Sequence, residues 1–172
     1  FLNKLYKFGF VVIQNCKTEM SSVEKVAKKI GYVRESIFGG LWSFQSNQDM
    51  ADSAYTQDEL RPHTDSTYSN DAPGLQLLLC CHYKASGGES IMVDGFKIAQ
   101  KINLLRKDLY NLLCDMEVTG QYIGDGVFLQ AKRPIFKLNP NKELIQVSFN
   151  NYDRAVFRAN DKKTLKFYDA IR

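Results

Sequence analysis

An α+β fold is what this sequence predicts, and three observations carry the prediction. Runs of strand length rich in apolar, β-branched and aromatic residues recur along the chain, at 8–14, 75–81 and 144–149 among others. Helical periodicity is confined to a few segments, around 21–30, 96–116 and 161–171. The two kinds of segment follow one another irregularly, which favours a sheet or barrel with flanking helices over a regular array of strand-helix-strand units. No internal repeat or low-complexity tract breaks the pattern.

In chain order, Phe8-Gly9-Phe10-Val11-Val12-Ile13-Gln14 reads as a buried strand. The next element is a helix: Ser21 with Glu24 has the spacing of a capping box, Val23, Val26, Ala27 and Ile30 share one face, and Gly31 supplies the stop. Residues 32–62 mix Gly, Ser, Asn and Asp with aromatics and predict a long ordered loop with room for one short strand. Leu75 to Cys81 reads as a continuous apolar strand, Ser86-Gly87-Gly88 as a turn, and Ser90 to Val93 as a neighbouring strand.

Phe96 to Met116 carries Ile98, Ala99, Ile102, Leu105, Leu109, Leu112 and Leu113 at helical spacing, with a break near Asn103 to Arg106, and is expected to pack across the sheet. Beyond Gly120, strands are predicted around Val127–Gln130, Pro134–Leu138 and Leu144–Phe149, the last two joined by a turn at Asn139-Pro140-Asn141. Asp161 to Ile171 starts a further helix.

With 172 residues, 44% of them hydrophobic and 24% charged, the chain matches a single globular domain, residues 1–172. The net charge of +4 is scattered, without the basic stripe that nucleic-acid binding requires. No apolar stretch approaches the roughly 20 residues of a membrane span. Cys16, Cys80, Cys81 and Cys114 lack paired metal-ligand spacing; the vicinal pair reads as two buried thiols, which fits a reducing compartment. A first residue Phe1 and a last residue Arg172 inside a helical pattern predict a domain truncated at its C-terminus.

The chemistry centres on His63-Thr64-Asp65. On a strand, residues two apart share a face, so His63 and Asp65 can converge on one metal while Thr64 points away. An imidazole, a carboxylate and a distant second histidine form the facial triad of non-haem iron(II) sites, with positions left open for cosubstrate and oxygen. Alone, His-x-Asp is a weak signal, and most occurrences are exposed polar pairs.

The surroundings sharpen it. Ala54-Tyr55-Thr56, His63-Thr64-Asp65, Pro73-Gly74, Gly87-Gly88-Glu89-Ser90 and Val93-Asp94-Gly95-Phe96 occur in the order and approximate spacing of the carnitine-biosynthesis oxygenases, which this chain resembles over nearly all its length. Trp42-Ser43-Phe44, Asp52 to Thr56, His63 to Tyr68 and Asn150 to Val156 resemble the branch acting on trimethyllysine more than the branch acting on γ-butyrobetaine. The resemblance implies a double-stranded β-helix (jelly-roll-like) core and hydroxylation of trimethyllysine at its 3-position. It implies iron(II), 2-oxoglutarate and O2, with ascorbate as reductant, a small trimethylammonium substrate and a homodimer. The implied location is the mitochondrial matrix for the trimethyllysine reading and the cytoplasm for the γ-butyrobetaine alternative. An alternative of another class is a non-catalytic trimethylammonium-binding module.

Residue by residue, the resemblance makes His63 and Asp65 iron ligands and sets Ser90 near the distal carboxylate of 2-oxoglutarate. Without it, Ser90 reads as a turn hydroxyl bonding local backbone. Trp42 and Tyr55 correspond to an aromatic cage, with Phe38 in place of a family tyrosine. Such a cage holds a trimethylammonium by cation-π contact, since that group donates no hydrogen bond; the rival reading of both residues is core packing. Asp52 and Asn150 correspond to the polar end of the substrate, where Asp52 could pair with an α-ammonium that γ-butyrobetaine lacks; the rival reading of Asp52 is a solvated loop carboxylate. His82, after an apolar strand, reads as a packed or hydrogen-bonded structural histidine, and the resemblance assigns the third iron ligand and an arginine for 2-oxoglutarate to positions after Arg172.

Overall fold

The computed structural model describes residues 1–45, 55, 57–124, 126–157 and 162–172. The chain divides into two compact units, one of residues 1–45 and 74–90, the other of residues 46–73 and 91–172.

In the first unit, helix α1 (Leu2–Phe8) ends at Gly9, whose φ of 75° opens the left-handed cap and whose N–H bonds the Leu5 carbonyl. The expected strand at 8–14 is not formed. Phe8 closes α1, and Phe10, Val12 and Ile13 are exposed in extended chain. Helix α2 (Met20–Ile30) matches the periodicity: Val23, Val26, Ala27 and Ile30 are half-buried while Lys25, Lys28 and Lys29 face solvent. Its capping box is not made. The helix begins at Met20 with Glu19 as N-cap, which carries Ser21 into the first turn and out of capping position. Gly31 does end it, in extended geometry with φ 179°, and its N–H bonds the Ala27 carbonyl.

Among the described residues of 32–62, the expected short strand is reduced to one bridge between Ser36 and Gly39. The strands expected at 75–81 and 90–93 are absent; Leu75, Leu78, Ile91 and Met92 are exposed. Apolar runs satisfy the periodicity of a strand, but a strand exists only with a partner ladder, and no described residue pairs with these segments in a sheet. Cys80 and Cys81 are therefore exposed free thiols, and His82 is exposed as well, against the expectation of packing.

The second unit holds the core. Helices α3 (Gly95–Leu105) and α4 (Lys107–Asp115) replace one long helix, with the break at Arg106 as its sequence suggests. Asp94 caps α3 by accepting the Lys97 N–H at 2.9 Å, so one residue of the Val93-Asp94-Gly95-Phe96 motif has a plain structural duty. Strand β1 (Glu117–Gly124) pairs antiparallel with β2 (Val127–Pro134) in register from Glu117 opposite Pro134 to Gly124 opposite Val127, and Gly126 takes φ 75° in the connection. Strand β1 was not among the strands expected from the sequence, since Glu117, Thr119 and Gln121 are polar and interrupt any apolar run.

Strands β3 (Phe136–Leu138) and β4 (Leu144–Val147) form a second hairpin. Asn139 closes it: its N–H reaches the Glu143 carbonyl and its Oδ1 accepts the Glu143 N–H, both at 2.9 Å. Helix α5 (Lys162–Ala170) completes the unit. Ala99 of α3, Leu113 and Met116 at the end of α4, Ile135 and Phe136 of the second hairpin and Phe167 of α5 bury together as one cluster. The helices cover the β3–β4 hairpin, and its far end leads directly into Phe149 and Asn150.

Candidate active site

His63 and Asp65 lie on irregular chain, Asp65 at a bend, and not on a strand as the periodicity argument supposed. They converge nonetheless, with His63 Nε2 3.1 Å from Asp65 Oδ1. What replaces the ladder is a set of specific bonds. Thr64, pointing away from the pair, donates its N–H to the Phe149 carbonyl at 2.7 Å, and its hydroxyl oxygen accepts the Phe149 N–H at 2.9 Å. The residue between the two candidate ligands is thus fastened to the chain leaving β4. Ser66 then turns the backbone sharply with φ 56°.

The imidazole is fixed at its other nitrogen. His63 Nδ1 lies 2.7 Å from the Arg61 carbonyl oxygen and Nε2 lies 3.1 Å from Asp65 Oδ1, so each ring nitrogen faces an oxygen acceptor. Tyr152 supports the same group twice: its ring meets the imidazole edge-on at 5.9 Å, and its hydroxyl accepts the Arg61 N–H at 2.9 Å. Tyr152 was visible in the sequence only as part of a motif. Its role depends on a contact across 91 positions, which no local signal reports.

Asn150 organises the turn after β4. Its Oδ1 accepts the N–H groups of Tyr152 and Asp153, and its Nδ2 donates to Asp153 Oδ2 at 2.9 Å. Thr67, buried and two residues past Asp65, directs its hydroxyl at the same carboxylate oxygen at 3.4 Å. Nearby, the Arg133 guanidinium donates to the Ser69 carbonyl, and burial pulls its pKa below the ordinary value.

In the first unit, Phe38 and Trp42 stack with centroids 5.6 Å apart, held by the Ser36–Gly39 turn, where Ser36 Oγ accepts the Phe38 N–H. Trp42 is 44% exposed, so its face is accessible, unlike that of a core tryptophan. Ser90 is exposed, following Gly87 and Gly88 at φ 84° and 81°. Tyr55 is half-buried in the second unit, and Asp52 lies outside the described residues. Among the described residues no group of three or more His, Cys, Asp and Glu side chains is gathered as a metal site, so His63 and Asp65 stand as a pair. Nor is any described helix long and apolar enough to cross a membrane.

The family model described as taurine catabolism dioxygenase TauD, TfdA family, matches residues 1–172. The chain belongs to the TauD/TfdA dioxygenase family. Among relatives, the chain is 36% identical over 174 residues to the trimethyllysine dioxygenase of Meyerozyma guilliermondii, covering 98% of this chain and 44% of that protein. It is 33% identical over 177 residues to the mitochondrial trimethyllysine dioxygenase of Rattus norvegicus, covering 100% and 41% respectively. To the gamma-butyrobetaine dioxygenase of a Pseudomonas species it is 32% identical over 164 residues, covering 95% and 43%. The chain therefore spans less than half the length of each of these relatives.

TauD-family dioxygenases depend in general on iron(II) and 2-oxoglutarate. The His63–Asp65 pair fits such an ion. Adjacent corners of an octahedron with metal-ligand bonds of about 2.1 Å lie about 3.0 Å apart, close to the spacing of Nε2 and Oδ1, and the two donors are an imidazole nitrogen and a carboxylate oxygen.

Proposed function

We propose that this chain contributes to an iron(II)- and 2-oxoglutarate-dependent oxygenase that hydroxylates trimethyllysine at the 3-position, within a double-stranded β-helix core. The observation that carries the reading is the His63–Asp65 pair, with Nδ1 committed to Arg61 and Nε2 turned to the carboxylate. The names of the yeast and rat relatives support the substrate.

In this reading His63 and Asp65 hold the iron, and the third protein ligand comes from outside these residues. The bound metal, with 2-oxoglutarate and O2, supplies the oxidation: the cosubstrate leaves as succinate and carbon dioxide, and one oxygen atom becomes a hydroxyl on an aliphatic carbon. The chain's own residues bind and orient. The resemblance supports Phe38, Trp42 and Tyr55 as the aromatic residues that attract the trimethylammonium by cation-π contact. Asp52 pairs with the α-ammonium, Asn150 meets the polar end of the substrate, and the Ser90 hydroxyl donates to the distal carboxylate of 2-oxoglutarate. Fixing both ends of a flexible substrate determines which carbon is presented for reaction. A mitochondrial location accompanies this reading, as in the name of the rat relative.

The similarity to the Pseudomonas gamma-butyrobetaine dioxygenase favours a second substrate of the same class. Succinate formation measured with trimethyllysine and γ-butyrobetaine in competition separates the two. Turnover of trimethyllysine is expected to dominate, and Asp52→Ala should erode that preference. Failure with both substrates removes the assignment and leaves a binding module.

A further inference from the structure

We propose that Asp153 is the positioning residue that locks the segment bearing His63 and Asp65 to the Asn150 turn, so that metal-holding and substrate-facing groups keep one arrangement. The inference rests on the roles given above to His63, Asp65 and Asn150.

One carboxylate oxygen carries the link. Asp153 Oδ2 accepts from Asn150 Nδ2 at 2.9 Å and lies 3.4 Å from the Thr67 hydroxyl. Thr67 is buried, two residues beyond Asp65, where a hydroxyl without a partner would be costly. An ionised acceptor makes stronger bonds to such donors than a neutral one.

The carboxylate is itself held on a rigid element. The Asp153 carbonyl accepts the Gln121 N–H at 2.6 Å, Arg154 bridges Gly120, and the Ala155 N–H reaches the Thr119 carbonyl at 2.9 Å. Residues 153–155 are therefore zipped along β1, and the Asp153 side chain reaches from that edge to two loops that the Thr64–Phe149 bonds and the Tyr152 contacts with Arg61 and His63 also join. Asp153 contacts neither iron nor substrate in this scheme; it acts through Thr67 and Asn150.

The test measures Mn(II) affinity by electron paramagnetic resonance, alongside KM for trimethyllysine, in the complete enzyme that contains these residues. Asp153→Ala is expected to weaken Mn(II) binding several-fold, because the segment bearing His63 and Asp65 loses one of its ties, and to raise KM several-fold. Thr67→Val should weaken Mn(II) binding while leaving KM within about twofold, and Asp153→Asn should add little to it, because both changes cut the same link. Asp153→Asn preserves shape and keeps the test decisive if Asp153→Ala fails to fold. Mn(II) affinity within about twofold of the parent in Asp153→Asn, or full additivity with Thr67→Val, overturns the proposal. Absence of trimethyllysine turnover in the parent would remove the substrate assignment alone, since the metal arm reads independently of it.

Discussion

Gly120 backs directly onto the peptide between Thr67 and Tyr68: a Cβ at Gly120 would stand 2.5 Å from both the carbonyl carbon and the carbonyl oxygen of Thr67. Backbone cannot swing aside as a long side chain can, so Gly120→Ala must push β1 away from the segment that follows Asp65. Overpacking of this kind costs about 1–3 kcal/mol. Urea unfolding should show that loss, and Mn(II) affinity should fall with it because the displaced peptide lies two residues from Asp65. Unchanged stability would mean that the close approach relaxes at no cost.

The Tyr152 hydroxyl can be removed without removing its ring. Tyr152→Phe should keep the edge-on contact with His63 but lose the bond to the Arg61 N–H, costing about 0.5–1.5 kcal/mol of stability. Mn(II) affinity should decline several-fold, whereas His63→Ala and Asp65→Ala should abolish it. A Tyr152→Phe protein binding Mn(II) as tightly as the parent would show that the Arg61 carbonyl holds its place without this support.

Asp108 of α4 provides a pH signature. Lys166 of α5, at 3.0 Å, and Arg106, at 3.3 Å, bond its carboxylate and lower its pKa from 3.8 to about 2. A depressed carboxyl pKa stabilises the fold above the unfolded value, and that contribution disappears as pH falls through the folded one. Asp108→Asn should therefore lower Tm near neutral pH, with the gap from the parent closing between about pH 4 and pH 2. The group is about half exposed, so added salt should narrow the gap at neutral pH as well. Thermal melts followed by circular dichroism read both effects.

Phe167 is fully buried among Ala99, Leu113, Met116, Ile135 and Phe136. Phe167→Ala should cost about 3–5 kcal/mol by chemical denaturation. Leu165, 59% exposed on the same helix, should tolerate alanine with little change.

The sequence was most informative where structure is local. The periodicity of Phe96 to Met116 located α3 and α4 and even their break, and Asn139 announced the hairpin that it closes. It was misleading where an element needs a distant partner: Phe10 to Ile13 and Leu75 to Cys81 have the pattern of strands but pair with no described strand. The candidate site divides in the same way. His-x-Asp spacing was legible because two neighbours can converge by themselves, though they do so without the expected strand. Tyr152 and Asp153 were not legible as supports, because their contacts with Arg61 and Thr67 cross 91 and 86 positions.

The uncovered apolar runs have a consequence for how this chain behaves in solution. A charge of +4 spread over 172 residues gives weak mutual repulsion, while Phe10, Val12, Ile13 and Leu78 offer sticky, β-prone surface. Salt screens the first and leaves the second untouched. These 172 residues taken by themselves should therefore stay dispersed best in dilute buffer and cloud as ionic strength rises.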